Sequence, residues 1–145
     1  MGSIARSRAK KKPKKLQPYS TLKNKMDRLF SEFVRRRAAD ENGMVRCVCC
    51  RVLKPWKELQ CGHFVTRGRL ATRWDIENSN PQCGRCNVLL RGNAVGYARF
   101  LENRYGPSIF ATLEERSRIT TKFTRSDLQR MVEELVVKLK GLPCH

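Results

Sequence analysis

Cys47-Val48-Cys49-Cys50 and Cys83-Gly84-Arg85-Cys86-Asn87 are the stretches on which the reading of this chain turns. Each holds a Cys-x-x-Cys pair, Cys47/Cys50 and Cys83/Cys86, and the one internal histidine, His63, lies between them. Two intervening residues let both sulfurs of a pair reach one ion, with the backbone amides between them facing the thiolates. Two such pairs supply the tetrahedral Cys₄ set that zinc prefers. Cys49 is a competing partner for Cys47, but Cys47/Cys50 matches the spacing of Cys83/Cys86. Cys49 is then left over. So is Cys61, which reads as a small buried side chain. Cys47, Cys50, Cys83 and Cys86 are thus the expected ligands of a structural Zn²⁺.

Composition narrows the partners. The chain has 145 residues, and 31 Lys+Arg against 13 Asp+Glu give a formal charge of +18. So one-sided a charge resists compaction and fits a polyanionic partner, with phosphate contacts and counterion release supplying affinity. No apolar run suits a bilayer, and the basic N-terminus lacks the apolar segment of a signal peptide. No membrane partner is expected, and a reducing, cytoplasmic setting is. There, paired cysteines point to metal, and an odd count of seven argues against a complete disulfide framework. A domain of this size, 40% hydrophobic, gains from a staple.

Two regions are expected: a basic disordered tail, 1–18, and one domain, 19–145. The tail carries Lys10, Lys11, Lys12, Lys14 and Lys15 without an acidic residue, and reads as an arm that tracks phosphates. Residues 20–39 read as a helix with Leu22, Met26, Leu29, Phe30, Phe33 and Val34 on one face. Arg35, Arg36 and Arg37 at its end suit either phosphate or the helix dipole. Residues 44–60 read as a hairpin around the first zinc pair and residues 59–65 as a strand. An Arg/Gly loop follows, then a second short strand or loop over 74–81 that Pro81 closes. A helix is expected over 83–90, and three more over 93–105, 108–116 and 126–140. Ser126 and Gln129 fit a capping box for the last.

Zinc pair, His63, Asn78, then a zinc pair with Asn87 attached is the order found in HNH (ββα-metal) endonucleases, which this stretch resembles. The resemblance narrows on particular runs: Leu59-Gln60-Cys61-Gly62-His63-Phe64, Thr72-Arg73-Trp74-Asp75, Asn78, Gln82-Cys83-Gly84-Arg85-Cys86-Asn87, Arg91-Gly92-Asn93 and Tyr97. These resemble the NinG/Rap recombination nucleases of lambdoid phages over roughly residues 19–140. The implied fold is α+β: a small zinc-stapled ββα-metal (HNH) core flanked by an N-terminal helix and C-terminal helices. The implied activity is structure-selective cleavage of branched DNA, such as Holliday junctions and D-loops, in a host cytoplasm or nucleoid. A homodimer is expected because two symmetric cuts need two sites.

The same resemblance implies roles. His63 is the general base that activates water for attack on phosphorus, and Asn78 orients it. A hard cation, Mg²⁺ or Mn²⁺, steadies the transition state and the leaving 3′ oxygen. Asn87 is its candidate ligand, as in zinc-stapled resolvases of the phage endonuclease VII type. Many relatives carry an Asp directly before the histidine to hold that cation, and here Gly62 stands in its place. Asp75 or Glu77 then supplies the carboxylate, with Gln60 a neutral substitute. Arg67, Arg69, Arg73, Arg85 and Arg91 surround this region and suit DNA phosphates, with Arg73 assigned to the scissile one. Two alternatives remain: a non-catalytic zinc-ribbon nucleic-acid-binding protein and a non-specific HNH nicking nuclease.

Overall fold

The apolar stripe of the first helix sets where the rest packs. The computed structural model describes residues 17–144. The expected tail, with Lys10, Lys11, Lys12, Lys14 and Lys15, falls almost wholly outside these residues. Helix α1 (Tyr19–Arg36) buries Leu22, Met26, Leu29, Phe30 and Val34. Their 3- and 4-residue spacing puts them on one face. That face packs against Val132, Leu135 and Leu139 of α4 (Arg125–Lys140), forming one of three hydrophobic clusters. Each fully buried aliphatic side chain contributes roughly 1.5–3 kcal/mol.

The three arginines that close α1 resolve the choice left open by the sequence. They clamp backbone carbonyls of three different segments. Arg35 Nη1 donates to Leu59 O at 3.1 Å, Arg36 Nη2 to Pro143 O at 2.9 Å, and Arg37 Nη2 to Ile76 O at 2.9 Å and Ser79 O at 3.1 Å. One helix end thereby fixes the chain before the histidine strand, the loop beyond it and the C-terminal segment.

Two small antiparallel hairpins follow. Strand β1 (Met44–Arg46) pairs with β2 (Leu53–Pro55), with Val45 opposite Lys54, and the first zinc pair lies in the turn between them. Strand β3 (Gln60–His63) pairs with β4 (Ser79–Gln82), with Gly62 opposite Asn80 and His63 opposite Ser79. Pro81, expected to close the segment, instead lies inside β4. Its carbonyl accepts the N–H of Val48 at 3.0 Å, so its backbone edge faces away from β3 and the missing N–H costs that ladder nothing. The helix expected over 83–90 shrinks to a wide turn, Arg85–Leu89, closed by Leu90 N–H on Arg85 O at 2.9 Å.

Helices α2 (Ala94–Tyr105) and α3 (Ile109–Arg118) agree with their predicted spans to within two residues. The cap of α4 does not. Thr124, not Ser126, is the N-cap: its hydroxyl accepts Asp127 N–H at 3.1 Å and Asp127 Oδ2 accepts Thr124 N–H at 2.8 Å. Thr124 has the extended backbone a cap needs, whereas Ser126 is already helical. No described helix is long and apolar enough to cross a membrane.

Tyr97 of α2 locks the second hairpin to the helices. It is 1% exposed and packs with Val48, Leu101, Ile109 and Leu113. Its hydroxyl shares its proton between Gly62 O at 3.0 Å and Asn78 O at 3.1 Å, and accepts from Asn80 Nδ2 at 3.3 Å. Tyr97→Phe keeps the ring and removes all three contacts, so it should lower unfolding free energy by about 1–2 kcal/mol. Urea denaturation followed by circular dichroism measures this, and a loss below a few tenths would show the hydroxyl to be dispensable.

Candidate zinc staple and histidine site

The structure brings the four predicted cysteines together. The Sγ atoms of Cys47, Cys50, Cys83 and Cys86 all lie within 4.8 Å of one another, and Cys50 and Cys83 are 3.6 Å apart. Four sulfurs about 2.3 Å from a central Zn²⁺ require separations of this size, so the set fits the ion. Among the described residues it is the one group of three or more Cys, His, Asp or Glu ligand atoms so arranged. Donors surround the sulfurs. Cys86 N–H approaches Cys83 Sγ at 3.5 Å, and Asn93 Nδ2 approaches Cys86 Sγ at 3.4 Å. Hydrogen bonds from the Cys49 thiol outweigh burial and hold the Cys47 thiol far below its ordinary range, toward the thiolate a metal needs. Cys47, Cys83 and Cys86 are buried with Val45 and Leu59 in a second hydrophobic cluster. Cys49 is not part of the set: its Sγ accepts from Gln82 Nε2 at 2.9 Å.

His63 ends β3 and turns toward α1. Its Nε2 lies 2.8 Å from Arg73 O. A carbonyl only accepts, so Nε2 carries the proton and Nδ1 keeps the lone pair. Nδ1 makes no hydrogen bond to the described residues. Burial, aided by the Arg67 and Arg73 charges, depresses the His63 pKa below 6.5 despite the Arg73 carbonyl. The ring lines a cavity of about 80 Å³ together with Asp27, Cys61, Arg67, Arg73 and Trp74. That is room for water, not for a nucleotide.

Asp27, on α1, is the residue that sequence reasoning missed. Its carboxylate receives Arg73 Nε at 2.8 Å, Arg73 Nη2 at 2.7 Å and Trp74 Nε1 at 2.9 Å. Burial alone would raise this carboxyl, but the bonds from Arg73 and Trp74 hold it below the ordinary range. Arg73 Nη1 also donates to Arg67 O at 2.6 Å, and the side chain is almost buried. Arg73 is therefore not a free phosphate ligand. It is a strut that fixes its own carbonyl against His63. Arg67, mostly exposed and 3.8 Å from Asp27, is the available guanidinium beside the histidine.

Asn78 serves His63 at one remove. Fully buried, it accepts Val65 N–H at 2.7 Å and donates to Val65 O at 2.9 Å and Thr72 O at 3.0 Å. It ties both ends of the loop that presents the Arg73 carbonyl. Nothing in the spacing shows that this asparagine acts through backbone.

The expected cation ligands do not assemble. Asp75 is committed to Arg116 of α3 at 2.9 Å and to the N–H of Glu77, and Glu77 pairs with the same arginine. Asn87 donates instead to Gln60 Oε1 at 2.7 Å. Gln60 and His63 stand on opposite faces of β3, because side chains alternate along a strand. Gly62 has a local cause: a Cβ there would collide with the side-chain amide of Gln82, whose Nε2 is tied to Gly92 O at 2.8 Å. Two neutral amides without a carboxylate are a poor site for Mg²⁺ or Mn²⁺. The side chains of Arg69, Arg85 and Arg91 are exposed.

Two tests follow from this geometry. The chain should bind one zinc per molecule, and strong chelation or Cys83→Ser should melt the region around both hairpins, because structural zinc contributes folding free energy directly. Metal analysis with hydrogen exchange reads both effects, and full protection without zinc would rule the staple out. Asp27→Asn should cost about 2 kcal/mol, less than the loss of a fully buried pair because Asp27 is partly exposed. Asp27 and His63 both have folded pKa values below their unfolded ones. Stability is therefore full above pH 6.5 and falls as acid protonates first the unfolded-state imidazole, then the carboxylate. A stability profile rising toward acid would contradict this assignment.

Neither the curated proteins nor the solved structures offer a match to this chain. One family model does match: NinG, described as Bacteriophage Lambda NinG protein, aligns with residues 2–143. With its match spanning nearly the whole length, zinc-staple cysteines and His63 included, the chain belongs to the NinG family.

Proposed function

We propose that this chain is an HNH-type (ββα-metal) endodeoxyribonuclease acting on branched recombination intermediates such as Holliday junctions and D-loops. The observation that carries the reading is the state of His63: Nε2 held by the Arg73 carbonyl, pKa depressed, Nδ1 without a protein partner. A zinc ribbon has no need of such a residue. A neutral, oriented imidazole beside a water-sized cavity is suited to take a proton from water. The water oxygen bonds to phosphorus, its proton passes to Nδ1, and the P–O3′ bond breaks. Arg67 is the guanidinium free to meet the phosphate. A divalent cation supplies charge neutralisation in this class of chemistry. Asn87 and Gln60 do not form a cage for it, so here His63 carries the derived chemistry alone. Net charge supports a DNA partner, and family membership with the Gly62-His63-Phe64 and Gln82-Cys83 runs supports a branched one. Paired cuts require two His63 sites, hence a homodimer.

A second reading is favoured by the same Gly62–Gln82 contact. With no carboxylate beside Asn87, the chain is a non-catalytic zinc-stapled DNA-binding protein that retains the scaffold.

Nicking of supercoiled DNA and of four-way junctions with Mg²⁺ or Mn²⁺ separates the two. Cleavage is expected, and its absence under both metals sinks the nuclease. His63→Ala should reduce the rate by at least about 10²-fold, the lower range for a lost general base, with zinc content and DNA affinity unchanged. The wild-type rate should fall with acid, with a midpoint below pH 6.5 that vanishes in the variant. A variant still cutting at the wild-type rate would show that the base lies elsewhere.

A further inference from the structure

A second cationic feature lies away from His63. The largest cavity, about 490 Å³, opens between the β1–β2 hairpin and α2, with Asn80 and Pro81 of β4 in its wall. It shares no lining residue with the histidine cavity. Four arginines line it: Arg37, Arg46, Arg51 and Arg104. None forms an ion pair with a carboxylate among the described residues. The one acidic residue in the lining, Asp40, is occupied at Oδ1 by the N–H groups of Asn42 at 2.9 Å and Met44 at 2.8 Å. Four like charges around one concavity repel each other, and only an anion relieves that. Arg37 and Arg104 are close enough that each charge opposes the other.

The rest of the wall is not phosphate-like. Phe100, Val48 and Pro81 give it an apolar side. A guanidinium cluster facing an aromatic and a proline matches a nucleotide with its phosphate on one side and its base on the other. The volume lies in the range of small-ligand pockets. A duplex is too wide to enter. We infer that this cavity takes an unpaired nucleotide of a DNA strand, with its phosphate on Arg46, Arg51 and Arg104 and its base against Phe100. This deepens the proposed function and rests on it for the choice of DNA. Branch points and D-loops expose unpaired nucleotides and linear duplex does not, so the cavity would select the substrate from a face separate from the chemistry.

The test uses the zinc-loaded full chain and fluorescence anisotropy with a labelled oligothymidylate and a labelled duplex of equal length. Arg46→Glu with Arg104→Glu changes two exposed side chains. Oligothymidylate affinity should fall on the order of tenfold near 0.1 M salt, and its salt slope should flatten by roughly 1.4, about 0.7 per lost phosphate contact. Duplex affinity should change less than about twofold. Arg118→Glu, an exposed change of the same sign on α3, serves as control and should leave both unchanged. Retained oligothymidylate binding overturns the proposal. So does an equal loss for duplex, or an equal loss from Arg118→Glu, since either makes the arginines a general basic surface. If the double variant loses its zinc, Arg46→Gln with Arg104→Gln replaces it, read by the salt slope. Cleavage plays no part in this readout. A wild-type chain that binds this way but cuts nothing refutes the nuclease and leaves the cavity's ligand standing.

Discussion

Four sulfurs within 4.8 Å of one another constrain the rest of this molecule. As thiolates they repel, and only a cation makes their convergence favourable. Neither hairpin could hold its shape otherwise: each is two strands of three or four residues, below what stands alone in water. The two cysteine pairs come from the β1–β2 turn and from the segment just after β4. One ion therefore joins the hairpins to each other and to the start of the helical half. The second hydrophobic cluster is built on those cysteines, with Val45 and Leu59 closing around them.

The staple positions β3 but does not orient His63. That depends on a chain of contacts running from α1: Asp27 grips the Arg73 guanidinium, which fixes the Arg73 carbonyl, which fixes His63 Nε2. Asn78 holds the same loop from the other side. Each link is a hydrogen bond of 3.0 Å or less in a partly buried setting, where such bonds are strong and expensive to leave broken. The packing of α1 on α4 is thus coupled to the histidine, and loosening the helix pair would be felt at the ring.

The sequence made the staple and the helices legible because their signals are local. Cys-x-x-Cys spacing and 3.6-residue apolar periodicity need only neighbours along the chain. The histidine was legible by its place between the pairs. Its supports were not. Asp27 lies 46 positions from Arg73 and sits among the polar residues of an ordinary amphipathic helix, where a lone acid reads as solvent-facing. Asp75 looked like a cation ligand until α3 brought Arg116 to it. Gly62 read as a missing carboxylate, but the space for any side chain there is filled by Gln82, across the sheet. The cap of α4 was misplaced because both candidates begin with a hydroxyl, and only backbone conformation distinguishes Thr124 from Ser126.

Long-range contacts also sort the basic surplus. A formal charge of +18 reads as one uniform coat, but the arginines fall into two kinds. Arg35, Arg36, Arg37, Arg73 and Arg116 spend their donors on carbonyls or carboxylates and act as struts. They take the place of a larger apolar core, since one guanidinium can hold several segments that too few hydrophobic side chains would leave loose. Arg46, Arg51, Arg67, Arg69, Arg85, Arg91 and Arg104 keep exposed side chains. Arg37 belongs to both kinds, with its Nη2 on two carbonyls while its side chain lines the large cavity. A protein that needed positive charge only for solubility would have no reason to build a concavity around it. The gathering of unneutralised arginines there, and of Arg67 beside His63, makes the charge a recognition surface with two separate faces rather than a coat.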